Sequence, residues 1–211
     1  MLYYEYLESK DNGVYLLFST PILRANKLYV PTKEELKFIH ELERRPNTGS
    51  NYSSLNGYAL ESKELVKMKQ AMQGMLNSYT HELLKIKDHT KFMITQSWFN
   101  YNPPGSFHYR HWHSNSLFSG TYYLTDNNPK IFFDKPQAIT GGVEYEFKEF
   151  DMMNCSDFSI EPFQYGALFF PSYLPHSVEP NQSKQERVSL SFNTFMRGSL
   201  GTDFRKTHLV I

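Results

Sequence analysis

The apolar positions of this chain change period once. Up to about residue 90 they recur at helical spacing; beyond it they alternate, or run in short blocks broken by Gly, Pro and Asn. In the first zone, residues 14–23 (VYLLFSTPIL) read as an extended apolar segment, with Pro21 favouring an edge position. Residues 32 to about 45 predict a helix. Thr32 and Glu35 form a capping-box pattern, and Leu36, Ile39, His40 and Leu42 follow at roughly helical spacing. Residues 46–57 (PNTGSNYSSLNG) are polar and rich in turn formers, so they read as a loop. A longer helix is expected over residues 62–86. Leu65, Met68, Met72, Met75, Leu76, Tyr79 and Leu83 form its apolar stripe, read as core packing against a sheet rather than as a partner groove.

In the second zone, both alternating sets of residues 92–101 hold apolar side chains, so this strand should be covered on both faces. Residues 102–106 (NPPGS) are a turn, and Gly141-Gly142 is another. Further strands are expected at 107–113, 119–125, 130–133, 142–147, 158–161, 166–170 and 187–195. Many short strands spaced by turn residues suggest a β-sandwich or barrel, with the preceding helices on one outer face. The fold class is α+β and mainly β. Residues 1–90 supply an N-terminal strand and supporting helices and residues 91–200 the core of a single domain.

Composition narrows this further. With 17 Phe and 15 Tyr among 211 residues, aromatics favour strands. Acidic and basic residues balance at 22 each, so no global field draws the chain to nucleic acid or an anionic membrane. A single cysteine, Cys155, forbids an intrachain disulfide and fits a reducing, cytoplasmic compartment. No window reads as a membrane span, and the first residues lack the basic and apolar regions of a signal peptide.

The chemistry is concentrated in residues 101–124, YNPPGSFHYRHWHSNSLFSGTYYL. His111 and His113 are one residue apart. On a strand both would leave the same face, roughly 6–7 Å apart at their bases, and could converge on one metal ion. His108 has the wrong parity to join them on a regular strand. The best third ligand is His176, placed at a strand mouth by the apolar run before Pro171 and the turn at Pro175. Eleven residues later Arg187 opens the last strand, with Ser189 on the same face. A permanent cation with a hydroxyl beside a metal makes a carboxylate site. Alone, a His-x-His pair is more often surface or packing histidines; the combination is what carries the reading. His40, His81, His89 and His208 read as structural or exposed. Asn100 and Asn193 lie on strands that could border the site, with interstrand hydrogen bonding an equal reading. Trp98 and Trp112 read as packing, and Cys155 lacks the surroundings of a nucleophile.

The order and spacing of these residues resemble the iron(II)- and 2-oxoglutarate-dependent dioxygenases, especially the prolyl-hydroxylase-like branch. The likeness runs through Tyr101, Gly105, His111, His113, Tyr122-Tyr123-Leu124, Pro175-His176 and Arg187-Val188-Ser189, over about residues 92–195. The chain is also similar to uncharacterised phage and bacterial oxygenase-like proteins with a W-x-N…H-x-H…SG-x-YYL pattern, matched by Trp98, Asn100, Ser119 and Gly120. The resemblance implies a double-stranded β-helix (jelly roll) with supporting helices. It implies iron on His111 and His176, and a 2-oxoglutarate carboxylate on Arg187, helped by Tyr123 or Tyr101 and by Ser189. It implies dioxygen as co-reactant, ascorbate as an aid, and decarboxylation to succinate coupled to hydroxylation of a C–H bond. The substrate would be a protein side chain such as a prolyl residue, or a small molecule.

The departure from that family is His113, which stands where a carboxylate is usual. Three readings stay open: His113 completes a three-histidine iron centre; it turns away; or three histidines hold zinc for hydrolysis. The first is favoured by strand parity. Asn115 could substitute as an oxygen donor if a turn brought it round. A jelly-roll binding or structural protein without turnover is the non-enzymatic alternative. Residues 126–140 and 150–159 are expected to cover the site mouth, no nucleic-acid or membrane partner is expected, and an aromatic-rich edge could support a homodimer. A phage protein in a host cytoplasm fits the same reading.

Overall fold

A computed structural model of the chain describes residues 19–135, 145–152 and 154–211. The strands are Leu23–Ala25 (β1), Arg44–Pro46 (β2), Tyr52–Ser54 (β3), Thr90–Asn102 (β4), His108–His111 (β5), Phe118–Tyr123 (β6), Ile131–Asp134 (β7), Asp157–Ile160 (β8), Ala167–Pro171 (β9), His176–Val178 (β10), Arg187–Leu200 (β11) and Leu209–Val210 (β12). Two α-helices precede the long strands, Lys33–Glu41 (α1) and Val66–Asn77 (α2). Among the described residues the strands form a large antiparallel sheet, ordered β1-β9-β6-β11-β4-β3-β2 with β12 on β11. A four-stranded sheet, β5-β10-β7-β8, completes the jelly roll.

The helices form where the sequence places them, for local reasons. The Thr32 hydroxyl accepts from the Glu35 N–H while the Glu35 carboxylate accepts from the Thr32 N–H, so two orphan donors are satisfied. Helix α1 ends at Glu41, short of the expected 45, because Arg44–Pro46 instead pairs with β3. Strand β3 and Pro46 lie within the stretch expected to be a loop. The second helix is also divided: a 3₁₀ turn at Lys63–Leu65, then α2, then a π turn at Ser78–Leu83. Its methionine stripe is core. Met68, Met72, Met75 and Leu76 pack with Phe92, Ile94, Phe99, Leu190 and Phe192 on the outer face of the large sheet. Full burial of side chains of this size contributes about 1.5–3 kcal/mol each, far more than helix propensity does. Leu83, expected in that stripe, is exposed because the π turn rotates it away.

A smaller apolar cluster lies between the sheets: Tyr123, Ile131, Phe133, Leu168, Phe170 and Leu174. Alternation along β9 assigns Ala167 and Phe169 to the helix side and Leu168 and Phe170 to this inner cluster. The strand expected at 142–147 falls partly outside the described residues, and 145–147 form no strand. Residues 14–18 of the first extended segment and Gly141-Gly142 likewise lie outside them.

Two irregularities of register decide what faces the space between the sheets. In the β4–β11 pair, Gln96 opposes Asn193 and Ile94 opposes Thr194, so Thr95 is an extra residue. Before this bulge the even positions of β4, Phe92 and Ile94, face the helices; after it Phe99 and Tyr101 do, and Gln96, Trp98 and Asn100 face inward. The second bulge is in β5, where His111 opposes His176 but His108 opposes Val178.

Candidate metal centre

His111 ends β5, His176 begins β10, and the two oppose each other in register. His113 lies just beyond β5, in a turn rather than on the strand. Its N–H donates to the Ser172 carbonyl, and the Ser116, Ser119 and Ser172 hydroxyls interlock beneath the turn. Asn115 makes that turn at φ 54° and does not reach the cavity. The expected convergence is therefore present, though a seated turn produces it in place of strand parity. One ligand atom from each of His111, His113 and His176 lies within 4.8 Å of the others.

Each imidazole is oriented from behind. Nδ1 of His111 is 2.7 Å from the Tyr109 carbonyl oxygen, and Nδ1 of His176 is 3.0 Å from that of Leu174. Nδ1 of His113 is 2.6 Å from Asn193 Oδ1, whose amide nitrogen donates to Gln96 Oε1. All three partners are acceptor oxygens, so Nδ1 carries the hydrogen in every ring and Nε2 keeps its lone pair. This is the arrangement in which histidine ligates metal, with the outer N–H held by an oxygen. Burial pushes His176 down to about 3 and His113 to about 4, so both rings stay neutral and able to ligate at ordinary pH. Phe170 and Phe133 pack against His176, and Trp98 stacks on His113 at 5.8 Å between centroids.

The histidines open on a cavity of about 510 Å³. Arg187 lies in its wall, 3% exposed, with Nε donating to Asn128 Oδ1 and its guanidinium carbon 5.5 Å from the Tyr123 ring centroid. No carboxylate forms an ion pair with it among the described residues. Among the described residues no Asp or Glu lines the cavity, whereas Arg45, Arg187 and four histidines do. A buried, unpaired cation costs several kcal/mol unless an anion answers it. Ser189 and Tyr123 also line the wall. Burial raises the Tyr123 phenol to about 12, so it remains protonated and can donate.

Not every expected residue arrives. Tyr101 is turned to the helix side by the Thr95 bulge. Its hydroxyl donates to the Ile39 carbonyl and its ring lies under the Arg44 guanidinium, so it takes no part in the cavity. Asn193 orients His113, while Asn100 makes an interstrand hydrogen bond to Ser191. Trp98 and Trp112, read as packing, both line the cavity, and Trp112 is exposed at its mouth beside Tyr109. His108 lines it too, because the β5 bulge cancels the parity that excluded it. The described parts of 126–140 and 150–159 leave the mouth uncovered, except that Ile131 lines the wall; Arg45, Asn47 and Thr48 border it instead.

Comparison with known proteins agrees with this geometry. Residues 96–193 match the family model described as "Putative 2OG-Fe(II) oxygenase". No curated protein sequence matches the chain. Among solved structures, a Pseudomonas putida prolyl-4-hydroxylase is similar at a TM-score of 0.51 and 17% identity, covering 83% of this chain and 93% of its own. HygX from Streptomyces hygroscopicus, solved with nickel, 2-oxoglutarate and hygromycin B, reaches 0.56 at 8% identity, covering 83% and 82%. A Trichoplax adhaerens prolyl hydroxylase, bound to a hypoxia-inducible-factor peptide, reaches 0.53 at 14%, covering 82% and 83%. At these identities the structures establish the fold. The segment that is similar to the 2OG-Fe(II) oxygenase family model contains His111, His113, His176 and Arg187.

Proposed function

We propose that the chain is an iron(II)- and 2-oxoglutarate-dependent hydroxylase. His111, His113 and His176 would hold the iron, and Arg187, Ser189 and Tyr123 the distal carboxylate of 2-oxoglutarate. The observation that carries this is one cavity that, among the described residues, has no acidic side chain in its wall and joins three Nε2 lone pairs to a buried guanidinium without a counter-ion. A zinc hydrolase or a passive binding protein would have no use for that guanidinium.

When bound, iron, 2-oxoglutarate and dioxygen supply the oxidation, giving succinate, carbon dioxide and one oxygen atom for a C–H bond. The chain's own residues prepare for it. The Tyr109 and Leu174 carbonyls and Asn193 fix the three rings before any ligand arrives, which lowers the reorganisation left for binding. Phe133, Phe170 and Trp98 cover the rings and limit water around them. Arg187 sets the direction of the diacid by a charge-assisted contact at one end. With His113 in place of a carboxylate, none of the three ligands offsets the metal's charge, which strengthens its hold on an anionic cosubstrate.

The substrate reading is broader. The cavity lies within the range of small-molecule sites, and Tyr109 and Trp112 offer aromatic surface at its mouth. That suits a small molecule or one protein side chain, such as a prolyl residue. The test is succinate release from 2-oxoglutarate by purified protein with iron(II), oxygen and ascorbate. Slow release without substrate is expected, falling at least tenfold in His176→Ala and Arg187→Ala. Equal release by wild type and both variants would refute the proposal.

A further inference from the structure

His108 is the cavity residue that the metal and the guanidinium leave without a role. It is half-buried, with its ring 6.2 Å from the His111 ring between centroids. Its strand partner is Val178, where that of His111 is His176, so it lies away from the ligands along β5. Arg187 is close enough to lower its basicity, second only to burial in that effect. His108 Nε2 lies 2.7 Å from Asn51 Nδ2, which also donates to Asn102 Oδ1 at 3.0 Å. An amide nitrogen facing two acceptors assigns Nε2 of His108 as acceptor and leaves the hydrogen on Nδ1. That Nδ1–H has no protein partner among the described residues, and it is not sealed in the core.

We propose that His108 is a further carboxylate-binding residue: its Nδ1–H donates to the distal carboxylate of 2-oxoglutarate, beside the guanidinium of Arg187. Asn51 then acts as a positioning residue, holding the tautomer that makes Nδ1 a donor. The proposal rests on the cosubstrate reading above. It adds a neutral donor to the cation, so the diacid is gripped from β5 as well as from β11.

The test titrates the iron-loaded full chain anaerobically with 2-oxoglutarate and with pyruvate, following the visible band. Pyruvate has the same 2-oxo acid head and no distal carboxylate. His108→Phe is expected to weaken 2-oxoglutarate roughly 10- to 100-fold, the range for losing a hydrogen bond to a charged group. Pyruvate affinity and iron stoichiometry should not change. His108→Ala, which removes the donor without adding bulk, is read the same way, and His108→Gln, which keeps an N–H, should recover part of the loss. If the Phe and Ala variants bind 2-oxoglutarate as wild type does, or weaken pyruvate equally, the role of His108 is wrong while the cosubstrate reading stands. If the wild type itself binds no 2-oxoglutarate, the cosubstrate reading falls and this inference with it.

Discussion

Asn193 orients one histidine of the candidate metal centre from behind. It accepts from His113 Nδ1, and its own nitrogen is fixed by Gln96. Asn193→Ala would free that ring to rotate and change tautomer. Iron affinity should drop about 10- to 100-fold, by analogy with other lost outer partners of ligating histidines. Asn193→Asp, which keeps an acceptor, should retain most of it; isothermal titration with a divalent metal measures both. At this scale the sequence was partly legible. The three histidines and Arg187 were readable as candidates because few other residue types can do such chemistry, and Asn193 was among the residues expected to border them. His108 was excluded by a parity argument that assumes a regular strand, and a bulge separates it from His111; Tyr101 was expected from the resemblance alone, and the bulge at Thr95 turns it to the helix side.

At the scale of elements, β6 and β11 pair in register, with Tyr123 opposite Ser189 and Gly120 opposite Phe192. Gly120 makes room for the Phe192 ring. A Cβ there would lie 2.1 Å from the Phe192 ring, which packs over the glycine backbone. Gly120→Ala should cost about 1–3 kcal/mol or more, read as a lowered Tm, because Phe192 is fully buried with little room to move. Gly120→Ala with Phe192→Leu should recover part of that loss, and a failure to recover would contradict the packing account. The capping box and the methionine helix were legible because their signals are local. Strands β2 and β3 were not, since Tyr52–Ser54 becomes a strand only by pairing with the long β4, and Arg44–Pro46 only by pairing with β3.

For the whole molecule, three buried or half-buried imidazoles couple stability to pH. Burial, the leading cause in each, holds His108 and His176 near 3 and His113 near 4, against about 6.5 when unfolded. Between those values the unfolded chain binds more protons than the folded one. Stability is therefore full above about pH 6.5 and falls as pH drops toward 4, each group adding a slope of up to about 1.4 kcal/mol per pH unit. The metal-free protein should lose Tm steadily from pH 6.5 to 4.5, and His108→Phe should show a shallower decline. A wild-type Tm that is flat over this interval would contradict the assigned burial of these rings. The same neutrality keeps the folded site able to ligate metal well below pH 6.5.

The central claim joins a three-histidine metal site to a diacid anchor in one cavity, and anaerobic titration with iron(II) and then 2-oxoglutarate tests both together. The account predicts one iron per chain and a visible metal-to-ligand band that grows with 2-oxoglutarate. It also predicts no band in His176→Ala, and a band in Arg187→Ala only at much higher 2-oxoglutarate. Iron that fails to bind, or a band that saturates identically in Arg187→Ala and wild type, would contradict it.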